Sequence, residues 1–187
     1  MDFVSGNINK YIEINNLISA RKNSIKIEFK KMELKEIQSD SLLEVAEDKV
    51  IQAFKLNHKE AFVEDDGLFI ETLNGFPGVY SSYINKTIGN AGILDLLGNK
   101  VNRNASFKSI IAFYDGHKIK SFTGEIKGKI SFDLTNGGWG FDPIFVPENS
   151  KLSFGQMDLK MKNNISHRKV ALDKFLDWYL NPTLKRP

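Results

Sequence analysis

Two β-rich runs within residues 106–132 flank Asp115-Gly116, a pair that supplies the positive backbone angles a tight hairpin needs. Strands joined by so short a turn run antiparallel, which argues against a sheet that is parallel throughout. Every other element of the chain has to be compatible with that hairpin.

The remaining segments alternate between helix and strand. Residues 2–4 are short and partly apolar and lead into Ser5-Gly6-Asn7-Ile8-Asn9-Lys10, after which Tyr11, Ile14, Leu17 and Ile18 recur at helical spacing. Ile25, Ile27 and Phe29 alternate with polar neighbours, the period of a half-buried strand. Ser41 and Glu44 form a capping-box pattern ahead of Val45, Ala46, Val50 and Phe54, predicting a helix to about residue 56. Glu64-Asp65-Asp66-Gly67 separates Phe62-Val63 from Leu68-Phe69-Ile70, so the acidic residues are expected at a turn between strands. Gly75, Pro77 and Gly78 suit a rigid loop, and residues 84–97 look helical with interruptions at Gly89 and Gly92. A glycine-dense loop, Gly137-Gly138-Trp139-Gly140-Phe141-Asp142-Pro143, precedes the apolar Ile144-Phe145-Val146. A last helix over residues 166–180 would bury Val170, Leu172, Phe175, Leu176 and Tyr179. The expectation is one α/β domain spanning 1–187 with a mixed, partly antiparallel sheet.

Composition narrows the chemistry. With 41% hydrophobic and 26% charged residues the chain has the balance of a globular protein. It contains no cysteine, which removes disulfides and thiolate metal sites, so a bound metal would rest on carboxylates, water and substrate oxygens, a set that suits magnesium. No basic-then-apolar leader opens the sequence and no apolar run reaches the roughly 18 residues needed to cross a bilayer, so the expected compartment is the cytoplasm, with no membrane partner. Arg21, Lys22, Lys26, Lys30, Lys31 and Lys35 crowd one stretch, but Glu28 and Glu33 interrupt it and the net charge is only +3. A solvated strand edge or helix end accounts for that stretch, and a nucleic-acid partner is not expected.

Several constellations admit two readings. The turn over residues 5–10 hands a strand to a helix and offers backbone N–H groups, a hydroxyl, amides and a lysine, which suits phosphate; a polar helix cap has the same composition. Glu64, Asp65 and Asp66 are either a solvated acidic turn or part of a magnesium site, and strand alternation would forbid all three from serving one site. Glu36 is an exposed strand-end residue or a ligand. Trp139 and Phe141 pack in the core or stack on a planar base. Ser166 caps the last helix with Arg168 on its surface, or the Ser166-His167-Arg168 run is functional. No Gly-x-Ser-x-Gly elbow accompanies the serines and histidines, so a hydrolase triad is not expected.

Taken in order, Phe3-Val4-Ser5-Gly6-Asn7-x-Asn9-Lys10, Glu36-Ile37-Gln38, Val63-Glu64-Asp65-Asp66-Gly67-Leu68, Leu73-Asn74-Gly75-Phe76-Pro77-Gly78-Val79-Tyr80-Ser81, Gly140-Phe141-Asp142-Pro143-Ile144-Phe145 and Lys162-Asn163-x-x-Ser166-His167-Arg168 resemble the inosine triphosphate pyrophosphatase family along nearly the whole chain. The resemblance implies an elongated α/β fold of two lobes with a central nucleotide-binding cleft, a homodimer, and hydrolysis of ITP, dITP and XTP to monophosphate and pyrophosphate. By motif, Ser5, Gly6, Asn7, Asn9 and Lys10 would hold the phosphates, with Lys10 neutralising charge. Glu36 and Asp65 would hold Mg2+, with Asp65 also the general base, and Asp66 would lie close to substrate. Trp139, Gly140, Phe141, Asp142, Lys162, His167 and Arg168 would form the base pocket and its rim.

The chemistry agrees with that allocation: attack on an anionic phosphate needs cations and N–H donors, and a 6-keto purine offers an acceptor where adenine offers a donor. The chain departs from the family pattern at Asp66, where serine or threonine is common, at Trp139, where phenylalanine is usual, and at Gln156 and Met161, where acidic residues are common. Alternatives are a nucleotide sensor without turnover and a pyrophosphatase acting on modified pyrimidines.

Overall fold

A computed structural model of the chain describes residues 1–21 and 25–181. Six strands, β1 (Asp2–Ser5), β2 (Glu28–Lys31), β3 (Ala61–Ile70), β4 (Asn104–Tyr114), β5 (Ile119–Ile130) and β6 (Phe145–Pro147), form one sheet in the order β2-β1-β3-β4-β5-β6. β1 pairs in parallel with β2 and with β3, while β5 and β6 are antiparallel, so the sheet is mixed. Six helices accompany it among the described residues: α1 (Ile8–Ser19), α2 (Leu42–Asn57), α3 (Ser81–Thr87), α4 (Gly89–Leu97), α5 (Leu159–Ile165) and α6 (His167–Leu180). No helix among these residues is long and apolar enough to cross a membrane.

Turn chemistry explains the hairpin between β4 and β5. Gly116 adopts φ +96, and Asp115 Oδ1 accepts from the backbone N–H groups of His117 and Lys118, both at 2.8 Å. At α2, Ser41 caps as its sequence indicates by accepting from Glu44 N at 3.3 Å. The Glu44 carboxylate, however, takes the Ser39 hydroxyl at 2.6 Å, so the reciprocal half of the capping box is not made. The break between α3 and α4 falls at Ile88, with Gly89, at φ +63, the first residue of α4, close to where the sequence predicts an interruption, whereas Gly92 continues inside α4.

Two expectations are corrected. The alternation at Ile25, Ile27 and Phe29 predicts a strand there, but β2 begins at Glu28; Ile27 is nonetheless buried. The acidic segment is not a turn: β3 runs unbroken through Glu64, Asp65, Asp66 and Gly67. Gly67 serves close packing there, since a Cβ at that position would lie 2.5 Å from the Gly78 carbonyl oxygen.

The chain divides into two compact units, residues 1–65, 109–124 and 168–187 in the first and 66–108 and 125–167 in the second. The first has a core of Phe3, Ile14, Ile18, Phe62, Ile111, Phe113 and Phe175 with their neighbours. The second is built on Leu68, Ile93, Phe107, Phe141, Phe145 and Phe154. In the first unit Arg21, from the basic stretch, is held by Asp173 and Asp177 at 3.0 and 2.6 Å, and Lys30 by Glu28 at 2.6 Å; Lys22 lies outside the described residues.

The Tyr179 hydroxyl on α6 donates to Glu60 Oε1 at 2.9 Å, and burial together with that carboxylate pushes the phenol up to about 12. The unfolded chain titrates near an ordinary tyrosine value of about 10, so this contribution to stability is intact below that pH and is lost as pH rises toward the folded value. In denaturant melts across that window, Tyr179→Phe is expected to flatten the alkaline decline; an unchanged slope would remove Tyr179 as its source.

Candidate active site

In the first unit, the strand-to-helix handover puts Asn7 at the N-cap of α1, its side chain accepting from Asn9 N at 2.9 Å, while Asn7 N donates to Ser5 Oγ at 3.1 Å. The first turn of α1 carries no acidic residue, which leaves the positive end of its dipole uncompensated by side chains. Gly6 is exposed. Lys10 points inward, 9% exposed, and its Nζ donates to the Glu64 carbonyl at 3.0 Å and lies 3.1 Å from Glu64 Oε2.

Alternation along β3 sends Glu64 and Asp65 to opposite faces. Glu64 belongs to a buried network: Oε1 accepts from Ser109 Oγ at 2.6 Å and lies 3.2 Å from Arg168 Nε, while Arg168 Nη1 also bonds Glu13. Arg168 has no exposed surface at all. Charge is balanced across Lys10, Arg168, Glu13 and Glu64, the condition under which buried ions are tolerated.

Asp65 meets a different partner. Lys49 on α2 reaches Asp65 Oδ1 at 2.6 Å and also bonds Glu36 Oε1, at 2.5 Å, so one ammonium bridges the two carboxylates that the sequence singles out as metal ligands. Glu36 is exposed and lies in the segment after β2 rather than at a strand end. Asp65 Oδ2 is buried without a hydrogen-bond partner. Burial pushes the Asp65 carboxyl above the ordinary carboxylate range, against the opposing pull of the Lys10 and Lys49 ammoniums. Among the described residues no group of three or more His, Asp or Glu gathers into a metal site. The donor chemistry suits magnesium in another way: two carboxylates, one with an unpartnered oxygen, are a ligand set that magnesium ordinarily completes with water and phosphate oxygens.

The second unit arranges the loop over residues 137–143. Asp142 Oδ2 accepts from Trp139 N at 3.1 Å and from Lys162 Nζ at 2.6 Å, and both side chains of the ion pair are buried. The Lys162 ammonium also sits 5.2 Å from the Trp139 ring centroid. Gly137, Gly138 and Gly140 all have positive φ, and a Cβ on Gly138 would come within 2.5 Å of Asp142 Cβ. The two aromatics divide: the Phe141 ring is committed to the core, whereas Trp139 is only partly buried. His167 is buried and stacked on Phe107, ring centroids 4.6 Å apart and planes 9° apart, with Nε2 3.5 Å from Asp66 Oδ2. Ser166 is buried immediately before α6 begins.

Lys49, Glu13, Ser109 and Asn90 complete these arrangements, and the sequence reading missed them. For two of them a signal exists. Lys49 lies four residues from both Val45 and Ala53, and Glu13 four residues before Leu17, so each is a charge set into the apolar stripe of a helix, a placement that calls for a buried partner.

These groups are carried by an α/β protein with a mixed six-stranded sheet. The model of the Ham1 family matches residues 1–178, and the chain belongs to that family. It is 42% identical over 181 residues to a dITP/XTP pyrophosphatase of Methanopyrus kandleri, covering 96% of this chain and 95% of that one. It is 48% identical over 149 residues to a dITP/XTP pyrophosphatase of Thermococcus kodakarensis, covering 79% and 80%. Among solved structures it resembles the Staphylococcus aureus Ham1 protein with a TM-score of 0.81 at 26% identity, covering 96% of this chain and 98% of that one.

Proposed function

We propose that this chain hydrolyses inosine- and xanthosine-type triphosphates, ITP, dITP and XTP, to the monophosphate and pyrophosphate, using Mg2+. The observation that carries the chemistry is Asp65: a largely buried carboxylate, one oxygen on Lys49 and the other unpartnered, raised above the usual carboxylate range. A base so tuned takes a proton from water more readily than an exposed aspartate does. Water adds on one side of the α–β phosphoanhydride, the bridging bond breaks, and pyrophosphate leaves. Lys10, Lys49 and the N–H groups of residues 5–10 offset the charge on the phosphates. Glu36 and Asp65 would hold magnesium, which when bound supplies further charge neutralisation at the phosphate oxygens.

The base falls to the second unit's groups. The Trp139 face offers stacking, and the Lys162 ammonium offers a donor to a 6-keto oxygen where adenine would present an amino group. His167 adds a polar edge, with Asp66 Oδ2 3.5 Å from its Nε2. The Asp142 pair with Lys162 depends on Gly138. Gly138→Ala is therefore expected to raise KM for ITP roughly tenfold with a smaller change in kcat, as follows from losing binding rather than chemistry; an unchanged KM would detach the ion pair from base binding.

A homodimer working in the cytoplasm, where the nucleotide pool is, belongs to the same reading. Light scattering in solution measures the mass directly.

The deciding experiment follows pyrophosphate and phosphate release by purified protein with magnesium, offered ITP, dITP, XTP, GTP, ATP and dUTP at equal concentration. Pyrophosphate mainly from the inosine and xanthosine nucleotides is expected. Preference for dUTP would favour a pyrimidine enzyme, and tight binding without product would favour a sensor.

A further inference from the structure

Asn90, in the first turn of α4, donates from Nδ2 to the Gly140 carbonyl oxygen at 3.0 Å. Trp139 is thereby bracketed. Its own N–H is taken by Asp142 Oδ2 at 3.1 Å, and the carbonyl of the next residue is taken by Asn90. Between those two anchors the backbone passes through Gly140 at φ +63, a position where a Cβ would have nothing within 4 Å. A side chain at this bend would have nothing to pack against, and hydrogen bonds flank it on both sides. The other half of the Asn90 amide is costly to the fold, because Oδ1 is buried with no hydrogen-bond partner. A leucine would fill similar space without an orphaned acceptor, so what the amide adds at this position is its donor.

We infer that Asn90 is a positioning residue for base discrimination, fixing through the Gly140 carbonyl the direction in which Trp139 presents its indole and Asp142 presents Lys162. The inference rests on the reading that this loop contacts the purine. The Asn90 donor is spent inside the second unit, on the loop that this reading gives to the base, so its effect is expected on the choice of base and not on the chemical step.

Asn90→Leu and Asn90→Asp test it, with kcat and KM measured for ITP and GTP in the intact protein with magnesium. Leucine keeps the volume and removes the donor; aspartate keeps the shape and turns an acceptor toward the Gly140 carbonyl. Both are expected to raise KM for ITP and lower the ratio of kcat/KM for ITP over GTP by about three- to tenfold, the range of one hydrogen bond, with kcat for ITP little changed and aspartate the worse of the two. Asn90→Leu should melt close to the wild-type temperature, since removing the orphaned acceptor offsets losing the bond to the Gly140 carbonyl. A lowered melting temperature with an unchanged ratio in both variants would make Asn90 merely structural and overturn the inference. Tolerance of aspartate would overturn it too, by showing that the donor is not used. Absence of ITP preference in the wild type would sink the base-contact reading itself, a failure distinct from that of Asn90.

Discussion

Asp65→Asn is expected to lower kcat for ITP by about two to four orders of magnitude, the span that general-base catalysis supplies, while leaving a folded protein. The substitution is nearly isosteric, and the amide oxygen can still accept from Lys49, which reaches Asp65 Oδ1 at 2.6 Å. What disappears is the carboxylate charge that the proposed base and magnesium ligand would use. Burial already disfavours the charged form of this group, so removing the charge relieves a desolvation cost and should not lower the melting temperature. Pyrophosphate release under saturating ITP gives kcat, and circular dichroism gives the fold. A folded variant with near-normal kcat would take Asp65 out of the chemistry.

Glu64→Ala is expected to act on stability. Glu64 accepts from Ser109 at 2.6 Å and lies against Lys10 and Arg168 at 3.1 and 3.2 Å, with its side chain wholly buried. Truncation removes the carboxylate that Lys10 and Arg168 both face, and losing one partner of a buried pair costs about 3–5 kcal/mol. For a domain of this size that corresponds to a melting temperature lower by about 6–20 °C. Glu64→Gln keeps an acceptor for Ser109 and Arg168 and should cost less than the alanine. Equal losses in the two variants would show that the negative charge facing Lys10 and Arg168, not the packing or the hydrogen bonds that glutamine keeps, is what Glu64 contributes.

Glu64 and Asp65 also show where the sequence becomes ambiguous. Three adjacent carboxylates beside a glycine have the composition of a solvated turn, and the turn reading fails because Gly67 is there for the closeness of Gly78, a residue eleven positions on that local pattern does not reveal. Where turn chemistry is local, the sequence reading holds: Asp115-Gly116 makes the turn between β4 and β5, and Ser41 caps α2. Trp139 and Phe141 stay undivided in the sequence because both are aromatics among glycines; the core of the second unit takes Phe141 and leaves Trp139 partly exposed. Lys49 carries a faint signal as a charge in an apolar stripe, but nothing local says that its partners are Glu36 and Asp65.

The amino-acid order by itself determined the alternation of helices and strands, the hairpin, the freedom from thiolate chemistry and the family, because periodicity, caps, turns and motifs are read over a few residues. Tertiary structure alone decided which of those residues share a charge. Lys10 meets Glu64 across 54 positions and Arg168 meets Glu13 across 155, and a buried ion pair is defined by partners and burial that no local stretch of sequence contains.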